Sequence, residues 1–340
     1  MSKTTRLLLL LWVSVCVSEA EELRINHMQV IGTHNSYHLR PPEPIFSLIK
    51  KTSPDAAASW DYSHRPLNEQ LDYGVRSFEF DTYLDPEGLR VMHIPQFDAN
   101  TTCETFVCCL RVMKAWSEAN PSHVPIIVLV EIKDGDVPRV TVPILKATPA
   151  YLDQMDQELL SVFQEEDLIR PDDVRGYHDT LRDAILKEGW PLLSESRGKF
   201  LFALHDETRI LDMYAEGRPS LEGRPMFVTS SEDRPDASVL VVNNPFRDDI
   251  ERLVKAGFIV RTRADAGIVE AAQNDTRRRD QAMQSVAHVI TTDFPHGSPH
   301  PESGYVVAFP GLVAVRDNPA FDMTDSPSTS WEPEIEVLTE

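Results

Sequence analysis

Four short stretches carry side chains that could do chemistry together: Thr33-His34-Asn35-Ser36-Tyr37, Glu79-Phe80-Asp81, His93, and Glu131-Ile132-Lys133. Three carboxylates and the amide oxygen of Asn35, gathered in one cavity, would repel one another unless a hard cation sat among them. Calcium suits such a set, because it takes carboxylate and amide oxygens in irregular geometry and leaves room for water and a substrate oxygen. Zinc or iron would draw His or Cys into the shell, and magnesium demands a stricter octahedron. Any one of these acids alone would read as an exposed strand end or a partner of Arg76 or Arg90. His34 and His93 add two groups that pass protons near neutrality. Cleaving a phosphodiester needs a proton removed from the attacking hydroxyl, a proton given to the leaving oxygen, and charge on phosphorus stabilised. Two imidazoles beside a divalent cation supply all three.

The elements that would position these groups are short, apolar, β-branched or aromatic runs. Met28–Thr33, Val75–Asp81, Ile126–Ile132, Phe200–His205, Met226–Thr229, Val239–Asn243, Phe258–Arg263 and Val289–Asp293 read as eight strands, several apolar throughout, as expected when both faces are covered. Helical periodicity follows in Cys103–Ala119, Leu152–Phe163, Thr180–Lys187, Arg247–Ala256 and Thr276–His288. This alternation predicts an α/β fold, a (β/α)8 TIM barrel. Ser230–Ser238 is too short and polar for a crossover helix, so a distorted or partly open barrel is expected there. Catalytic groups gather at the C-terminal rim of such barrels, where the strand tips bearing His34, Asp81 and Glu131 would converge. Residues two apart on a strand share a face, which pairs Glu79 with Asp81 and Glu131 with Lys133. Lys133 and Arg263 are rim candidates to hold phosphate oxygens, or to pair with Asp134 and Asp265. His205, Asp206 and Asp293 also lie at strand tips as lining residues, whereas His38 reads as loop.

Composition narrows the setting. The 33 Lys and Arg against 54 Asp and Glu give a formal charge of −21, which argues against nucleic acid as a partner. A negative protein acting on an anionic lipid or phosphodiester also needs a cation at the point of contact. The basic start, the apolar run from Leu7 to Val17 and Ser18-Glu19-Ala20 form a cleavable signal peptide, residues 1–20, so a secreted chain starting near Glu21 is expected. Residues 21–316 would form the barrel. Residues 317–340, with seven acids and no Lys or Arg, read as a disordered, solvated tail. Beyond the leader remain Cys103, Cys108 and Cys109; one disulfide from Cys103 to either of the others is expected in an oxidising compartment.

The ordered set Thr33-His34-Asn35-Ser36-Tyr37, Glu79-x-Asp81, His93 and Glu131 resembles the phosphatidylinositol-specific phospholipase C superfamily, most closely its small secreted calcium-dependent branch. The resemblance implies a barrel across roughly residues 25–310, with Asn35, Glu79, Asp81 and Glu131 as ligands of Ca2+. It further implies that His34 contacts the phosphate and that His93 is the general acid for the leaving diacylglycerol oxygen. The base for the inositol 2-hydroxyl is then His34 or a carboxylate such as Glu79 or Glu131. The implied reaction gives a cyclic inositol phosphate, which water can open. Without a dense basic cluster, unsubstituted phosphatidylinositol is the expected lipid, met by a monomer in transient contact with a membrane surface. Two competing expectations are a glycerophosphodiester phosphodiesterase, whose His-Arg-Gly start is replaced here by His-Asn-Ser, and a catalytically silent binding protein for inositol phosphates or glycans.

Overall fold

The structure, a computed structural model, describes residues 23–322, 331–332 and 335–339; the predicted signal peptide lies outside them. The apolar runs fold as strands because parallel pairing with helices outside covers both their faces. In chain order they are β1 (Met28–Thr33), β2 (Ser77–Tyr83), β3 (Arg90–Val91), β4 (Ile126–Ile132), β5 (Phe200–Leu204), β6 (Phe227–Val228), β7 (Val239–Val241), β8 (Ile259–Arg263), β9 (Val289–Thr292) and β10 (Val315–Asp317). Eight of them run parallel in the order β6-β5-β4-β2-β1-β9-β8-β7. They form the expected TIM barrel, nearly closed.

The gap falls where the sequence lacked a crossover helix. Residues 229–238 carry no helix, and β6 meets β7 only through a Thr229–Val239 bridge, in which Ser230 N donates to Val239 O at 3.3 Å. Elsewhere helices intervene, among them Glu43–Thr52 after β1, Phe106–Ala119 after β2, Pro149–Leu160 after β4, Ile250–Lys255 after β7 and Arg277–Gln284 after β8. Thr105 and Thr148 cap two of these with their side chains, satisfying N–H groups that the first turn leaves free.

Two features hold the barrel together below the mouth. Between β1 and β2, which meet at the single pair Gly32–Ser77, a Cβ on Gly32 would stand 2.9 Å from that of Ser77, so only glycine allows the approach. At the base, the buried Arg76 guanidinium donates to Glu332 at 2.7 Å and to the carbonyl oxygens of Leu71 and Val75, while Glu332 also accepts from Val124 N at 2.8 Å. The described part of the acidic segment therefore departs from the expected solvated tail. β10 crosses the boundary placed at residue 316 and pairs antiparallel with Met28–Val30, the half of β1 that β2 does not reach. Trp331 and Glu332 are buried, and Trp331 Nε1 donates to Asp317 at 2.8 Å. The reason is electrostatic: a buried Arg76 needs a carboxylate, and this segment supplies it.

Removing one partner of a buried pair strands the other charge. Glu332→Ala should lower the free energy of unfolding by about 3–5 kcal/mol, read by urea denaturation; a loss within error would mean that the segment does not brace the barrel.

Candidate active site

The parallel register of β2 and β4 sets the first feature of the mouth. Asp81 lies opposite Glu131, so two like charges share one cross-strand position. Lys133 holds them, its ammonium 2.6 Å from Glu131 Oε1 and 3.4 Å from Asp81 Oδ2. Glu79, on the same face, is paired at 2.5 Å with Arg261 of β8, which is itself buried. Burial alone would raise the Glu79 carboxyl, but Arg261 reverses this and holds it down to about 2. Asp81 and Glu131 behave oppositely. Burial pushes both up despite Lys133, and each also feels a neighbouring carboxylate. Asp81 Oδ1 is buried, and the buried Tyr37 hydroxyl interacts with this carboxylate. Ligand atoms of Glu79, Glu131 and His205 all lie within 4.8 Å of one another. Asn35 is buried at the tip of β1 with φ of 45°, a conformation Asn tolerates. Its neighbour Ser36 stitches that tip to β2, donating N–H to Glu79 O at 2.9 Å and accepting from Glu79 N at 2.8 Å.

Each histidine is oriented by an aspartate. His34 Nδ1 lies 2.9 Å from Asp293 Oδ1, and Arg263 Nη2 reaches the other oxygen at 3.3 Å. Burial would raise Asp293, yet His34 and Arg263 hold it well below the carboxylate range. An ionised carboxylate can only accept, so Nδ1 carries the proton and Nε2 is left for reacting atoms. Burial, then Arg263, lowers His34 itself, which favours the neutral ring. His93 Nδ1 lies 2.6 Å from Asp98 Oδ2. Asp98 also accepts from His38 Nε2 at 2.9 Å. Burial would raise Asp98 as well, but these two histidines keep it low, so Nε2 of His93 is likewise free to work.

The sequence pattern of the family described as phosphoinositide phospholipase C, Ca2+-dependent, matches residues 23–90 and 84–319. The chain belongs to this family of phosphodiesterases. The calcium-dependent phosphoinositol-specific phospholipase C of a Pseudomonas species shares its fold with a TM-score of 0.58 at 18% identity, over 88% of this chain and 96% of that one. The calcium-dependent phosphatidylinositol-specific enzyme of Streptomyces antibioticus gives 0.54 at 20% identity, over 80% and 95%. The Listeria monocytogenes phosphatidylinositol-specific phospholipase C gives 0.51 at 14%, over 81% and 90%. A search of curated protein sequences returned no match.

The mouth of this phospholipase-family barrel fits a hard divalent cation. Among Glu79, Asp81, Glu131, Arg261 and Lys133, three anions face two cations. The structure thus brings together Glu79, Asp81, Glu131 and Lys133 in one charge cluster, and His34 with Arg263 through Asp293. Lys133 pairs with Glu131 and Asp81 rather than Asp134, whose partner is Arg209 at 2.7 Å. Arg263 donates to the backbone oxygen of Asp265, not its carboxylate. Three participants do not stand out as site residues in the sequence: Arg261, Asp98 and His38; His205, expected as a lining residue, comes within 4.8 Å of the Glu79 and Glu131 ligand atoms. His38 is in a loop as expected, yet is wholly buried and stacked on Tyr62. Arg261 was legible in principle, being two residues from Arg263 on one strand face. Asp98 follows a loop that no periodicity describes.

Asp206, after β5, accepts from the N–H groups of Ile132 and Glu207, yet burial, aided by Glu131 and Asp134, pushes it up to about 7. The unfolded carboxyl releases its proton near 3.8, so between those values the folded state binds more protons and stability falls as pH rises. Asp206→Asn should flatten that slope. Urea unfolding of both proteins at about pH 4 and about pH 7 checks it; parallel slopes would contradict the assignment.

Proposed function

We propose that this chain cleaves phosphatidylinositol by attack of the inositol 2-hydroxyl on phosphorus, giving diacylglycerol and a cyclic inositol phosphate, with calcium held at the mouth. The observation that carries the reading is the pair of aspartate-oriented imidazoles beside an undercompensated carboxylate cluster. Asn35, Glu79, Asp81 and Glu131 would hold the ion, with His205 beside them. Bound there, Ca2+ would supply positive charge to the phosphate and to the developing alkoxide.

His34 takes the 2-hydroxyl proton at Nε2 while Asp293, ionised, stabilises the imidazolium that forms. A new bond forms between that oxygen and phosphorus as the bond to the glycerol oxygen breaks. His93, held at Nδ1 by Asp98, gives its Nε2 proton to the departing oxygen. The tethered nucleophile avoids the entropy cost of a second reactant. Arg263 orients Asp293, and its charge, felt at His34, would help neutralise the phosphate. The cations at the mouth, Arg261, Arg263 and Lys133, are each paired with a carboxylate, which favours a headgroup without further phosphates.

We also infer secretion after cleavage near Glu21 and action as a monomer in transient contact with a lipid surface. The apolar Leu7–Val17 run and a Cys103–Cys109 disulfide support an oxidising destination. Of the two pairings left open, the helix decides: Cys109 lies on the buried face with Phe106, Leu110 and Met113, and Cys108 is exposed. No helix among the described residues is long and apolar enough to cross a membrane.

Incubation with phosphatidylinositol, followed by phosphorus NMR, should show a cyclic ester with calcium and none in excess chelator. His34→Ala and His93→Ala should each lower kcat about 10²–10⁴-fold. Full activity in chelator would remove calcium from the reaction, and glycerol 3-phosphate from a glycerophosphodiester as the main product would favour the rival class. Asp293→Asn should reduce kcat about 10²-fold or more with KM little changed, because the amide favours the wrong tautomer of His34; an unaltered kcat would show that Asp293 does not orient the base.

A further inference from the structure

Lys133 occupies an unusual place for a residue that could have been a phosphate contact. Its backbone N–H donates to Thr82 O at 2.8 Å, which carries the β2–β4 ladder one residue past the tip of β4. That extension fixes its side chain on the same face as Glu131. The ammonium then turns back onto Glu131 at 2.6 Å and Asp81 at 3.4 Å. The oxygens it holds are those that the calcium reading gives to the ion. Arg261 does not duplicate this arrangement: its donors are committed to Glu79, Thr291 and Asn243 from within the barrel, whereas the Lys133 side chain is 30% exposed and carried on a flexible stem.

We propose that Lys133 is a tethered competitor for the calcium site: its ammonium bridges Asp81 and Glu131 in the metal-free protein and must leave them before the ion can be fully bound. The proposal rests on the calcium reading above and deepens it. A cation tethered two residues from its partner is present at high effective concentration, so each binding event replaces an existing ion pair instead of filling a bare anionic cup. The same ammonium keeps two cross-strand carboxylates from repelling one another when no metal is present. Calcium affinity is therefore set lower than the carboxylate count alone implies, in the range suited to calcium-rich surroundings, because ligand charge tunes the affinity of oxygen sites. A lysine that served only the substrate phosphate and stood clear of these oxygens would change metal affinity little when replaced.

The test is calorimetric titration of the full-length secreted form with CaCl2 alone, without lipid, for wild type, Lys133→Met, Lys133→Arg and Glu131→Gln. Lys133→Met should bind calcium about tenfold tighter or more, Lys133→Arg should stay within about threefold of wild type, and Glu131→Gln should bind about tenfold more weakly. Thermal unfolding followed by circular dichroism confirms that each variant is folded, and Lys133→Gln replaces Lys133→Met if that variant is not. Wild-type binding with an equal or weaker Lys133→Met overturns the competitor role and leaves the calcium reading standing. Binding that Glu131→Gln does not weaken places the ion elsewhere and also overturns it. No binding by any variant up to about 10 mM calcium defeats the calcium reading, and the competitor role with it.

Discussion

Two carboxylates directly opposite each other on neighbouring parallel strands, with a third one position away on the same face, are the constraint around which this barrel mouth is organised. Asp81, Glu131 and Glu79 are brought together by the β2–β4 register, and that register is fixed by apolar neighbours facing the helices. Leaving such a cluster uncompensated in a buried place would be costly. The chain answers with Arg261 from across the barrel and Lys133 from the same strand end. Two cations do not match three anions, and the charge at Asp81 is met by Lys133 at 3.4 Å and by the neutral Tyr37 hydroxyl.

The rest of the molecule keeps that cluster in register with His34 and His93. Ser36 ties the His34-Asn35 tip to Glu79, and Gly32 lets β1 approach β2 closely enough for the tie to form. Asp293 and Asp98 then each hold the Nδ1 of one histidine, which leaves its Nε2 outside that pair. At the opposite end, Arg76 and Glu332 close the barrel floor with a buried ion pair. Rigid placement at both ends suits chemistry that depends on orientation, since a tethered nucleophile gains its advantage only when attack is in line.

Much of this was readable in the sequence, for a physical reason. Buried parallel strands must be apolar on both faces, so all eight barrel strands stand out, β1 and β4 to the residue, and the missing helix after β6 marks the weak seam. The polar strand tips were equally visible, because a carboxylate closing an apolar run sits where burial would penalise its charge unless a cation or a proton meets it. The partners of those groups were not. Asp98 comes from a loop whose path no periodicity predicts, and Arg261 looks like any polar residue on a strand until the closing of the barrel carries it to Glu79. The acidic C-terminal segment was misleading on composition, since its high charge suggested solvation while one of its acids was needed to neutralise Arg76. Cys109 could have been chosen over Cys108, as the spacing of Phe106, Cys109, Leu110 and Met113 already defines the inner face of a helix.

The central claim is that the unmatched negative charge at the barrel mouth is met by a divalent ion. Anomalous diffraction from crystals grown in calcium tests it most directly. The account predicts a single strong peak bonded at about 2.3–2.6 Å to oxygens of Glu79, Asp81 and Glu131, with the Asn35 amide in reach. A map at saturating calcium in which these carboxylates keep only Arg261 and Lys133 as partners, with no peak among them, would contradict it.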